Sequence, residues 1–258
     1  MLDPEVYDHL RQAAASVSEP LRAAIERVGA LRIAAPAHDS VAERLFVEVV
    51  NQQLSTKAAA AIWARVEGAA AARAVTPRDL FVPGCEAALR ACGISGNKVR
   101  ALQAIRQAEE SGMLGADLAL MPHPERSAIL CGIRGVGQWT ADMVGIFHYL
   151  DPDIWPVGDV AAVGCLRRLT GCEDTRAVAA AFAPYRSILA RYTWRIKDSA
   201  AVSNILAHVR RMSGLHSLCL PVACSPRCQT SSVEVTTAFQ FAINASSCSA
   251  TEAKKRPR

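Results

Sequence analysis

The stretch CGIRGVGQWTADMVGIF, residues 131–147, sets Gly135 and Gly137 around a single valine, Val136, directly ahead of a segment whose apolar residues recur at helical spacing. Gly-x-Gly before a helix suits a phosphate, because glycine lets the backbone come close and the helix N-terminus presents free amides. A cofactor or a nucleic-acid backbone could own that phosphate. A dinucleotide fingerprint requires a preceding strand and a third glycine, but position 140 is threonine and the lead-in PHPERSAIL reads as helix. A P-loop requires Gly-Lys-Ser or Gly-Lys-Thr, and neither is present after the glycines. Two readings remain: a hairpin between helices that holds a DNA phosphate without reading sequence, or a plain helix-helix turn. Both glycines are expected to supply positive φ and close approach.

Outward from the hairpin, the chain reads as helical almost throughout. Residues 4–34 have helical periodicity broken at Pro20, and APAHD comes next as a loop. VAERLFVEVVNQQLSTKAAAAIWARVEGAA has helical flanks and a polar centre, NQQLST, suited to a turn; CEAALRACGISGNKVRALQAIRQAEES reads as helix, turn, helix. The hairpin's helix is expected to end near Tyr149, with further helices at VAAVGCLRRL and from about 175 to 212. The absence of any confident strand before 212 indicates an all-α fold. After residue 213 the chain becomes rich in Ser, Thr and Cys and ends in a basic cluster, which reads as a poorly ordered appendage. The spacing of Cys219, Cys224, Cys228 and Cys248 fits no common zinc pattern.

Composition excludes several classes. No apolar run approaches the roughly 20 residues that cross a bilayer, and the acidic N-terminus does not resemble a secretion signal. The nine cysteines are odd in number and scattered, which favours reduced thiols in a cytoplasm over a disulfide scaffold. Arginine outnumbers lysine 24 to 5, pointing to a GC-rich bacterial genome. Residues 160–212 carry nine Arg or Lys against Glu173, Asp174 and Asp198, a local excess that suits either an anionic partner or a solvated helix face.

Twenty-two residues beyond Gly137, Asp159 stands where the helix of WPVGDVAAVGCLRRL should begin. An N-cap is one use for it. A carboxylate anion facing positive charge on a reacting sugar is another, and the helix dipole is compatible with both.

Together, LCGIRGVGQWTADMV and DIWPVGDVAAVGCLRRL resemble the helix-hairpin-helix, Gly/Pro-rich loop and catalytic aspartate of the base-excision DNA glycosylase superfamily. NQQLSTKAA, GISGNKVRAL and APYRSILARYTW are similar to its alkylated-base branch, 3-methyladenine DNA glycosylase II. The resemblance spans about residues 40–212. It implies an all-α fold of two helical subdomains with the active-site cleft between them; residues 1–39, an N-terminal helical extension, correspond loosely to the family's N-terminal helices, and the tail 213–258 matches no part of it.

The resemblance implies residue roles as well. Asp159 becomes the catalytic carboxylate, and Gly135, Val136, Gly137, Gln138 and Thr140 the phosphate-binding hairpin, whose carbonyls can hold a monovalent cation in the family. Trp139, Trp194 and Met143 would line the base pocket. Gln52, Gln53, Leu54 and Ser55 would form the loop that fills the gap left by a flipped nucleotide, and Lys98 and Arg186 would touch DNA phosphates. Trp139 stands where lyase-competent relatives carry a nucleophilic lysine, so hydrolysis alone is expected. Arg134 replaces the usual proline before the hairpin, and the four-cysteine iron-sulfur pattern of another branch is absent. The implied partner is damaged double-stranded DNA, bound by a monomer with no cofactor, no required metal and no membrane. Excision of oxidised or mismatched bases, or non-catalytic DNA binding, are the alternative functions.

Overall fold

Local sequence signals account for where the helices start. In the computed structural model, which describes residues 2–199, Asp3 caps helix α1 (Pro4–Val17), Ser40 caps α3 (Val41–Asn51), Ser55 caps α4 (Thr56–Ala71) and Ser95 caps α6 (Gly96–Glu110), each side chain accepting a first-turn amide. The break in the N-terminal helical region falls at Ser18 and not at Pro20. Pro20 instead lies in the first turn of α2 (Glu19–Val28), where a missing N–H costs nothing. The remaining helices are α5 (Glu86–Ala91), α7 (His123–Cys131), α8 (Gln138–Phe147), α9 (Val160–Thr170), α10 (Thr175–Ala180) and α11 (Arg186–Asp198), with 3₁₀ turns at Pro77–Leu80 and Ala116–Leu120. No strand occurs among the described residues. No helix there is long and apolar enough to cross a membrane. The tail from 213, with its four cysteines, lies outside the described residues.

The helices bury their apolar faces in two cores. Leu10, Leu21 and Ile25 of α1 and α2 share the first with Leu166 of α9, Phe182, and Leu189 and Tyr192 of α11. Leu45 and Val49 of α3, Val66 of α4, Leu89 of α5 and Leu102 and Ile105 of α6 build the second. Each fully buried Leu or Ile contributes about 1.5 to 3 kcal/mol of transfer free energy.

Residues 2–28 are therefore one wall of the first core, built into the same packing as α9 and α11, and more than an extension. The Tyr192 hydroxyl donates to the Gly29 carbonyl at 2.7 Å, and the Ser18 hydroxyl to the Leu169 carbonyl at 2.6 Å, joining the N-terminal pair to α11 and α9. The hairpin's own helix lies between the cores. On α8, Met143 and Ile146 face the first, while Ala141 and Val144 face the second. Neighbouring residues on a helix lie about 100° apart, so one helix can present both surfaces.

Candidate active site

The loop before α9 delivers Asp159 to the helix N-terminus, where Oδ1 accepts the Ala162 amide at 2.7 Å. The loop itself is anchored at several points. Arg186 makes a bidentate ion pair with Asp153, at 2.7 and 2.8 Å, the Ser187 amide donates to Pro152, and the Ile154 amide donates to the Ser187 hydroxyl. The guanidinium holds the Asp153 carboxyl below its ordinary range. Arg186 thus fastens the loop before α9 to α11, and its guanidinium is engaged rather than free for a phosphate.

Two tryptophans converge on the same carboxylate. Trp194 of α11 donates its indole N–H to Oδ1 at 2.8 Å, and Trp139 of α8 donates to Oδ2 at 2.9 Å. Asp159 is only 7% exposed, so these bonds act in a desolvated setting where charge-assisted donors are strong. Trp194 is buried, with its ring stacked on Phe147 at a centroid distance of 5.4 Å. It is built in as an orienting donor more than as an open platform for a base. Trp139 is half-buried beside it. Met143 lies wholly inside the first core and offers no surface to a pocket.

Phe147 has no polar atom to announce a role, and only the fold places it against Trp194. The guanidinium groups of Arg44 and Arg191 lie 5.1 and 4.5 Å from its ring centre. Arg191 also donates to the Ile146 carbonyl at 2.6 Å, and burial draws its pKa down to about 10. Beneath Arg44, its ion-pair partner Glu48 is fully buried, and burial pushes that carboxyl up to about 7.

At the hairpin the two glycines differ. Gly135 has φ +86°, and a Cβ added there would lie 2.3 Å from the Ala101 Cβ of α6. Gly137 has φ −102°, and a Cβ there would meet nothing within 4 Å. Only the first is required by conformation and packing. Gly137 is the N-cap of α8, no side chain of the described residues caps that helix, and its first-turn amides have no intrahelical acceptor. Val136 points into the second core and Thr140 is buried. Gln138 receives the Ser127 hydroxyl and donates to Asp142, which His123 Nε2 also approaches at 2.9 Å. What Gly135, Val136 and Gly137 offer outward is therefore backbone.

The polar loop between α3 and α4 abuts the hairpin. Gln52 Nε2 donates to the Gly135 carbonyl and to the Thr140 hydroxyl, both at 3.2 Å. That puts an N–H donor on one of the hairpin carbonyls. Leu54 packs on the second core and Ser55 caps α4. Gln53 is exposed at the tip with φ +58°, a backbone state rarely adopted outside glycine. Lys98 turns inward: its ammonium lies 2.9 Å from the Val50 carbonyl and 2.6 Å from that of Gln52. It is occupied by the end of α3 and is not presented to a phosphate.

A cavity of about 580 Å³ between α3, α4 and Pro77–Leu80, walled by Phe46, Trp63 and Phe81, includes neither Asp159 nor either of its tryptophan partners. The carboxylate with its three converging donors is the better candidate for chemistry.

No family model matches the sequence. The chain is 30% identical over 167 residues to DNA-3-methyladenine glycosylase 1 of Schizosaccharomyces pombe, an alignment covering 61% of this chain and 73% of that protein. Its structure is similar to that of the S. pombe 3-methyladenine DNA glycosylase solved in complex with abasic DNA, with a TM-score of 0.65 and 25% identity, over 76% of this chain and 98% of the other. It is also similar to DNA-3-methyladenine glycosidase from Bacillus halodurans, with a TM-score of 0.63 and 28% identity, over 80% and 97% of the two chains.

Proposed function

The chain belongs to the family of 3-methyladenine DNA glycosylases, and we propose on that premise that it flips alkylated purines out of duplex DNA and hydrolyses their N-glycosidic bonds, with Asp159 as the catalytic carboxylate. The observation that carries the reading is the convergence of the Ala162, Trp139 and Trp194 N–H groups on one buried carboxylate.

A base inside the duplex stack is out of reach, so the nucleotide rotates out at a cost of a few kcal/mol. The exposed Gln53 enters the space left behind, because Gln52 is tied to the hairpin and Leu54 to the core. The first-turn amides of α8, with Gly137 adding no bulk, hold a backbone phosphate. Alkylation at a ring nitrogen makes the purine cationic and a good leaving group. As the glycosidic bond lengthens, the sugar gains positive charge opposite Asp159, which stabilises it and orients the attacking water. Within the carboxylate, Oδ1 is held by two donors and Oδ2 by one, so Oδ2 keeps more capacity for the reaction.

Two finer points belong to the same reading. The enzyme is of the type II, alkylated-base kind and acts as a monomer. It also lacks lyase activity, because an indole at position 139 provides no amine for a Schiff base with the sugar.

The test uses duplexes with 3-methyladenine, with an oxidised base and with a mismatch, assayed separately for base release and strand cleavage in wild-type and Asp159→Asn protein. Release of the alkylated base by wild type alone, with no strand cleavage and no covalent adduct on borohydride treatment, is expected. Undiminished release by the variant would overturn the mechanism, and cleavage or trapping would overturn the hydrolysis-only assignment.

A further inference from the structure

Helix α6 touches both elements that would grip the DNA, although it contributes nothing to the carboxylate site. At its first turn the Lys98 ammonium bonds the carbonyls of Val50 and Gln52, which close the end of α3 where the helix leaves its last carbonyls without partners. Three residues on, on the same helix face, Ala101 sits against Gly135 so closely that no side chain fits between them. The Gln52 side chain completes the triangle by bonding the Gly135 carbonyl and the Thr140 hydroxyl. The exposed Gln53 is the next residue, at φ +58°.

We propose that Lys98 and Gln52 are positioning residues for nucleotide flipping: anchored on α6, they fix the spacing between the Gln53 tip and the phosphate-holding hairpin. This rests on the glycosylase reading above and specifies how the two grips are kept in step. A probe that must enter a gap one nucleotide wide gains from a rigid support, since a looser one would spend binding energy on ordering the loop. The ammonium suits the task because it meets two carbonyls at once at a helix C-terminus, where the dipole favours positive charge. Burial lowers its pKa from the ordinary lysine value, in keeping with an inward role.

The assay uses full-length protein and a duplex carrying 2-aminopurine beside the lesion, whose fluorescence rises when the neighbouring base leaves the stack. It is paired with single-turnover excision from duplex and from single-stranded oligonucleotide, and with duplex affinity as a function of salt. Lys98→Met is expected to reduce the fluorescence rise and slow duplex excision at least tenfold. Single-strand excision should change less than threefold, with the slope of log affinity against log salt unchanged. Lys98→Arg, which keeps a donor, should recover most of the loss, and Gln52→Leu should reproduce the Lys98→Met pattern.

A salt slope reduced by about one unit in Lys98→Met would make the lysine a phosphate contact and overturn the proposal. Equal slowing on duplex and single strand would overturn it as well. Should Lys98→Met not fold, Gln52→Leu, which leaves α6 intact, decides by the same duplex-to-single-strand ratio. Inactivity of the wild type on every substrate would instead sink the glycosylase reading, so the two failures are distinguishable.

Discussion

The indole nitrogen of Trp194 lies 2.8 Å from Oδ1 of Asp159, while the ring behind it stacks on Phe147. A carboxylate in that position is oriented before any substrate arrives. Trp194→Phe keeps the stacking partner and deletes the donor, and removal of one hydrogen bond to a charged group should slow single-turnover base release about 10- to 100-fold. Duplex affinity should change little, because the indole is buried. A variant that releases base at the wild-type rate would show that Asp159 is held well enough without it.

Replacing the carboxylate itself tests the chemistry and the fold at once. Asp159→Asn retains an oxygen to accept the Ala162 amide, so α9 stays capped and unfolding temperature should move by no more than a few degrees. Base release should fall by about 100- to 1,000-fold or more. Loss of activity accompanied by a collapse in stability would assign Asp159 a structural role instead.

The hairpin glycines should respond in opposite ways. Gly135→Ala forces a Cβ against Ala101 at a left-handed φ and should cost about 2 to 4 kcal/mol, readable as a drop of about 5 to 15 °C in Tm. Gly137→Ala meets open space and should stay within about 0.5 kcal/mol of wild type in stability. Its effect should appear instead as weaker duplex binding, since a methyl group would stand over the first-turn amides of α8.

Charge buried beneath the site should leave a mark on stability against pH. The Glu48 carboxyl, pushed up by burial to about 7 in the native protein, returns to 4.5 when exposed on unfolding. Between those values the folded chain holds a proton that the unfolded chain has released. Its contribution is therefore complete below pH 4.5 and lost as pH rises through 7, by on the order of 3 kcal/mol. His38 and His148, both lowered by burial, act in the opposite sense just below pH 6.5. Glu48→Gln leaves both histidines in place, so the measurement is the difference in unfolding free energy between wild type and variant from pH 4.5 to 8. It should shift steadily against the wild type as pH rises, and a flat difference would place the carboxylate's titration elsewhere.

How far the sequence could be read depended on the range of the interaction. The Asp159 cap is set by residues within a few positions, so local pattern exposed it, whereas which of the two hairpin glycines has no room for a side chain depends on Ala101, 34 residues away in the chain. Lys98 and Arg186 read as phosphate contacts because their partners, Gln52 and Asp153, lie 46 and 33 residues away in the chain. Charge in a sequence does not name its counterion. Trp194 was legible as an aromatic of the site, but its hydrogen-bonding duty toward a residue 35 positions earlier required the packing of α11 on α9. Met143 has helical spacing suited to either face of α8, and only the presence of two cores decided which. The same long-range packing drew residues 2–28 into the first core, where periodicity alone gave helices with no partner.

That arrangement, with residues 2–28 and 160–196 sharing one core and most of residues 41–144 forming the other, bears on how the protein is made. As the chain leaves the ribosome, α3 to α8 have nearly all their partners as soon as they emerge. The first two helices must wait for α9 and α11. Asp159 gains its cap with α9, but Trp194 arrives some 35 residues later. The nascent chain would thus complete the core around the hairpin first and the Asp159–Trp194 contact last.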